Sequence, residues 1–200
     1  MKRLAQTLFL ALALGAQLGH ANPMFAREPS VDAPVLLAAA PGLSGPYGRT
    51  VLLALPSGGG THIGFILNRP TEVSVSAVLP EVAAAEEVAT PVFAGGPHLS
   101  RTLIALTLAP QSPTEDSVEV LPGLHMAFGK EEVARVATRF AKRTRFFAGL
   151  VAWEGGELQA ELRAGAWHVF EPDLDVVIGG SADTLWQRLL ERMHTLVAMR

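Results

Sequence analysis

Short apolar runs separated by glycine- and proline-rich turns dominate the chain, and their length makes most of them strands. The clearest is His62-Ile63-Gly64-Phe65-Ile66-Leu67, which leaves Ser57-Gly58-Gly59-Gly60 and stops at Asn68-Arg69-Pro70. It is too short for a helix and rich in β-branched and aromatic residues, so it reads as a buried strand. Residues 35–40 (VLLAAA) end at Pro41-Gly42 and residues 49–55 (RTVLLAL) at Pro56; both read as strands, the second paired with 62–67 in a hairpin. Residues 91–94, 101–108, 145–153 and 167–170 are further strands, and 117–121 with 124–128 form a hairpin around Pro122-Gly123.

Helical periodicity is rarer. Residues 130–143 repeat apolar positions at Val133, Val136, Ala137, Phe140 and Ala141 with basic residues opposite. Ser74 caps a short helix over Val75, Val78 and Leu79, and 83–88 is helical in composition. A helix over 157–163 stops at Gly165, and a last helix capped by Ser181 carries Leu185, Trp186, Leu189, Leu190 and Met193. Strands outnumber helices without a βαβ rhythm. The expectation is a single α+β domain with a mixed, strongly bent, barrel-like sheet flanked by helices.

Composition adds a compartment. Lys2 and Arg3, an apolar stretch over 8–16 and Gly19-His20-Ala21 make residues 1–21 a signal peptide cleaved after Ala21. The apolar stretch is too short to span a bilayer, so no stable membrane anchor remains after cleavage. Residues 22–34 form an extended leader and 35–200 the domain. The expected location is periplasmic or secreted; a start at Met24 would instead leave the protein cytoplasmic. The chain holds 200 residues, no cysteine and a formal charge of −3. Acidity and export argue against a nucleic-acid partner, and stability rests on packing rather than disulfides.

Chemical motifs fall short one by one. Gly42-Leu43-Ser44-Gly45-Pro46 places proline where a nucleophile elbow needs glycine, and Ser57-Gly58-Gly59-Gly60 lacks the Lys of a P-loop. No histidine among the six has a helical-spaced metal partner. Glu157 and Glu161 share a helix face, which a solvated pair explains as well as acid–base work does. Arg135, Arg139, Lys142, Arg143 and Arg145 read as a solvated basic face. No catalytic residue, metal or cofactor is assigned, and the expected protein is not an enzyme. One set retains interest: Arg49, Asn68, Arg69, Gly95, Gly96, His98 and Arg101 all stand at strand ends in glycine- and proline-shaped loops. Arginines converging there with backbone N–H groups suit a carboxylate or phosphate. The plainer alternative is that Asn68 caps its turn and the arginines pair with nearby acids or carbonyls.

An ordered series of segments carries a resemblance. It runs Pro41-Gly42-Leu43, Arg49-Thr50-Val51, Gly64-Phe65-Ile66-Leu67-Asn68-Arg69-Pro70 and Val92-Phe93-Ala94-Gly95-Gly96-Pro97. It continues through Gly123-Leu124, Gly149 with Trp153, Gly156-Glu157-Leu158 with Glu161, Ala166-Trp167 and Leu185-Trp186. In this series the chain resembles the YqgE/AlgH family of bacterial proteins. The resemblance implies an α+β fold with a strongly bent sheet; one member is linked to transcriptional control of exopolysaccharide production, and no catalytic role is carried over. The chain departs from the family at polar loop positions, with Gly45-Pro46 for Asp-Pro, Leu106-Thr107 in place of a histidine, and Leu150 for tyrosine. Shape-giving residues are kept while polar loop residues are lost. The expected role is therefore that of an exported binding or interaction protein whose partner is another protein or a small anionic ligand, with an intracellular regulator or an enzyme acting at the Asn68-Arg69 and Gly95-Gly96 loops as alternatives.

Overall fold

A computed structural model describes residues 31–198; the predicted signal peptide and most of the leader lie outside the described residues. The strands are β1 (Val35–Ala39), β2 (Val51–Gly58), β3 (Thr61–Ile66), β4 (Phe93–Ala94), β5 (His98–Leu108), β6 (Val118–Leu121), β7 (Leu124–Phe128), β8 (Thr144–Trp153) and β9 (Trp167–Phe170). The α-helices are α1 (Val75–Val78), α2 (Lys130–Phe140), α3 (Glu157–Arg163), α4 (Leu174–Gly179) and α5 (Leu185–Ala198). The sheet runs β6-β7-β5-β8-β3-β2-β1-β9, with β4 beside β8. Every pairing is antiparallel except β4–β8.

The sheet is strongly curled, a half-barrel, and its two faces show it. One face buries a single cluster spanning the sheet, from Leu36, Leu53 and Phe65 to Ile104, Leu106 and Leu124, closed by Val177 of α4 and Leu185 and Leu189 of α5. The other face divides. Leu37, Leu52, Ile66 and Trp153 pack under Leu158 of α3, whereas Ala105, Ala127 and Phe146 pack under Val75, Val133 and Val136 of α1 and α2. An undivided inner face and a split outer face are what bending a sheet produces. Because both faces are covered, β1 and the first five residues of β2 are buried without interruption, which is why they read as unbroken apolar runs.

The bend is built where β8 changes partners. Residues 144–148 and Leu150 pair with β5 and 151–153 with β3, and Gly149, where the register with β5 is interrupted, has φ +74°. A Cβ on Gly95 would stand 2.2 Å from Gly149 O, and one on Gly96 2.2 Å from the Leu150 carbonyl carbon. Gly95 and Gly96 are there because two backbones cross in contact.

Several expectations shift. Residues 83–87 form a 3₁₀ turn, and α2 tightens into 3₁₀ at Ala141–Arg143. Ser74 caps α1 as expected, accepting from Ala77 N at 3.1 Å. Ser181 does not start the last helix: Thr184 O accepts from Arg188 N, and the helix begins at Leu185. Helix α4 is absent from the periodicity because it is only six residues long; Asp173, whose Oδ1 accepts from Asp175 N and Val176 N, and Gly179-Gly180 were its signals.

Arg145 leaves the basic face altogether. It lies on β8, opposite Leu106, and is 2 % exposed. The stretch of like charges around it suggested a wet face, but strand alternation turns this side chain inward. Of the others, Arg135 pairs with Glu132 and Lys142 with Glu87, while Arg139 lies over the Phe140 ring.

Candidate functional site

The seven residues singled out at strand ends do not converge. Asn68 works as a bracket: its Oδ1 accepts from Val51 N at 2.9 Å and its Nδ2 donates to Arg49 O at 2.8 Å. It thus continues the β2–β3 ladder past Ile66 with a side chain, rather than capping its own turn. Arg49, at φ +58°, lies 5.1 Å over the Trp186 ring, whose Nε1 donates to Ala39 O at 2.8 Å. Those contacts tie α5 to β1 and to the loop before β2. His98 is exposed, and Arg101 lines a different cleft, between α1 and α2.

Arg69 and Gly96 do come together. They line a cleft of about 350 Å³ with Pro46, Tyr47, Ile66, Ala94 and Pro97. Proline and glycine bring the loop here: Gly45 at φ +79° and Pro46 start a 3₁₀ turn, Gly45–Tyr47, that delivers Tyr47 to the cleft. Arg69 Nη2 donates to Pro46 O and, at 3.0 Å, to Thr50 Oγ1, fixing that loop against β3. Its Nε and Nη1 have no hydrogen-bond partner among the described residues, so the guanidinium is anchored at one corner and open at the other.

Behind the cleft stands a carboxylate. Glu161 Oε2 accepts from both Trp153 Nε1 (3.0 Å) and Trp167 Nε1 (2.7 Å), and the Trp167 ring meets Tyr47 edge-on at 6.3 Å. Trp153 in turn packs against Gly64, where a Cβ would be 2.7 Å from the indole. Glu157 accepts from Glu154 N and so closes the turn before α3. Neither glutamate is placed as half of an acid–base pair. Burial first, then the negative Glu161, raises the Tyr47 phenol above its ordinary range, with Arg69 pulling the other way. At neutral pH Tyr47 is a hydroxyl donor beside a fixed cation, within apolar walls.

Tyr47 is the cleft residue that the strand-end pattern does not single out. Its signal was present, as the one tyrosine of the chain set in its densest glycine–proline loop. Among the described residues there is no group of three His, Asp or Glu side chains able to hold a metal ion. His62 and His125 are buried in structural contacts with the carbonyls of Val31 and Ala109.

Comparison with known proteins fits this architecture. The family model described as AlgH-like (DUF179) matches residues 36–198. A UPF0301 protein of Chlorobium luteolum is 32% identical over 157 residues, covering 77% of this chain and 81% of the relative. Another, from Streptomyces avermitilis, is 32% identical over 169 residues, 82% of this chain and 88% of the relative. The solution structure of the AlgH protein from Pseudomonas aeruginosa superposes with a TM-score of 0.67 at 20% identity, covering 92% of this chain and 98% of that one. The crystal structure of DIP2367 from Corynebacterium diphtheriae gives 0.68 at 20% identity, over 84% and 94%. The two structures share the fold; the sequence match over nearly the whole described region places the chain in the YqgE/AlgH (AlgH-like, DUF179) family.

Proposed function

We propose that this chain is an exported binding protein without chemistry of its own, and that it takes a small organic anion in the Tyr47–Arg69 cleft. One observation carries the reading: Arg69 is held by Nη2 alone, which leaves its other donors unused in a cleft that Tyr47 also lines and whose remaining side chains are apolar. A carboxylate with an apolar body matches those walls, meeting the charge at one end and Ile66, Ala94 and Pro97 along its length. Among the described residues no side chain at the cleft is arranged as a nucleophile with a base beside it, so retention rather than turnover is the role these groups support.

The probe is 3-phenylpropanoate, followed by amide NMR. Saturable shifts are expected at Tyr47, Arg69 and Gly96, and Tyr47→Phe should weaken binding about fivefold for one lost hydrogen bond. Arg69→Lys, which keeps the charge and loses the fork, should weaken it further. No saturable shift at these residues, or unchanged affinity in both variants, would sink the reading. Export rests on Lys2, Arg3, the apolar stretch over 8–16 and Gly19-His20-Ala21. Sequencing the mature N-terminus should return Asn22; Met24 would replace export with an intracellular role.

A further inference from the structure

The second cleft asks for a different ligand. It encloses about 550 Å³ on the outer face, between the segment over 71–78 and the start of α2. Val73, Val78, Val92, Leu103 and Ala148 make its apolar lining, Thr71, Ser100 and Thr102 add hydroxyl-bearing residues, and Arg101 and Lys130 supply the charge. The far wall is fixed by backbone bonds: Thr71 N donates to Val92 O and Val92 N to Val73 O. On the near wall Gly129 N donates to Leu103 O at 2.9 Å, which puts Lys130 one residue and Arg101 two residues from the same link. Both cations therefore belong to one corner. Arg101 makes no ion pair among the described residues, and Lys130 reaches only Glu81, at 3.8 Å, with both side chains more than half exposed. Such an exposed pair is worth little and is easily exchanged.

Two exposed apolar side chains stand at or next to its lining, Val73 within it and Leu99 beside Ser100 in the chain. Val73 is 44% exposed and Leu99, at φ +52°, 54% exposed, among the few large apolar side chains left in water. An apolar trough with two cations at one corner is complementary to an anionic head on a hydrocarbon chain. We infer that this cleft binds a single-chain anionic amphiphile of the fatty-acid class, its carboxylate at Arg101 and Lys130 and its chain along Val73, Val78 and Val92. The site shares no residue with the Tyr47–Arg69 cleft and does not depend on it.

The test uses dodecanoate below its micelle concentration, with amide NMR on the full protein. Saturable shifts are expected at Val73, Val92, Arg101, Leu103 and Lys130, with Tyr47 and Gly96 unmoved. Arg101→Gln with Lys130→Gln should weaken dodecanoate about tenfold or more, since both charged contacts go and both side chains are exposed enough to change without unfolding. Acetate, which has the head and no chain, should not bind, and dodecyltrimethylammonium, with the opposite charge, should bind more weakly than dodecanoate. The inference is overturned if the double variant binds dodecanoate as the parent does, or if the cationic chain binds equally well. It is also overturned if dodecanoate moves none of these amides; a shift on dilution of the protein alone would then assign the face to contact between copies of the chain.

Discussion

Arg145 is the largest fully buried side chain among the described residues, and most of its donors find carbonyl partners. Its Nη1 donates to Val177 O at 2.8 Å and, more weakly, to Val176 O, and its Nη2 to Gly180 O at 2.9 Å. These are end carbonyls of α4, where a cation is favoured. Its guanidinium also lies 4.2 Å from the Phe93 ring centre. Desolvation lowers its pKa to about 10, so it remains charged at neutral pH. Because folding disfavours its proton, its cost is largest at neutral pH and eases only as pH rises through about 10 toward the unfolded value. Arg145→Met keeps length and loses the donors. It should lower unfolding free energy by about 2 kcal/mol or more in urea, since several buried carbonyls lose their partner. A variant as stable as the parent would mean that removing the buried charge offsets those bonds.

Among the elements, the glycine junction of β4, β5 and β8 governs the shape of the sheet. Gly96 has an ordinary φ, so the barrier to a side chain there is contact with the backbone of Leu150 and Val151, which cannot rotate away. Gly96→Ala should therefore cost about 3 kcal/mol, at the upper end for overpacking. Gly42→Ala, in open space, should change stability by about 0.5 kcal/mol at most. Equal effects in thermal unfolding would show that the junction is not constrained by contact. Strands were legible because nearly all are short apolar runs between Gly–Pro stops. Helix α4 was not, because six residues hold too few turns to display a period. Gly95 and Gly96 were legible as special positions, but their reason was not: a strand crossing joins residues some fifty positions apart, and no local pattern records it.

At the scale of the molecule, the residues that carried the family resemblance turn out largely to be fastenings. Asn68 brackets β2, Glu161 joins two indoles, Trp186 ties α5 to β1, and the glycines admit the crossing. The fold class was readable for that reason, while the site was readable only in part: Arg69 and Gly96 meet in one cleft, whereas Tyr47 joins them through a turn whose end point no spacing reveals. The central claim is that Tyr47 and Arg69 form an anion-binding cleft, and the single tyrosine makes it directly measurable by tyrosinate absorbance. Folding holds the Tyr47 proton more tightly, so stability should fall as pH rises from about 10 through the folded midpoint. The midpoint should lie above that of free tyrosine, rise when Arg69→Gln removes the cation, and fall when Glu161→Gln removes the carboxylate. Saturating 3-phenylpropanoate should raise it further in the parent, by adding a negative charge beside the phenol, and leave it unmoved in Arg69→Gln. A parent midpoint that does not respond to the probe would contradict the account.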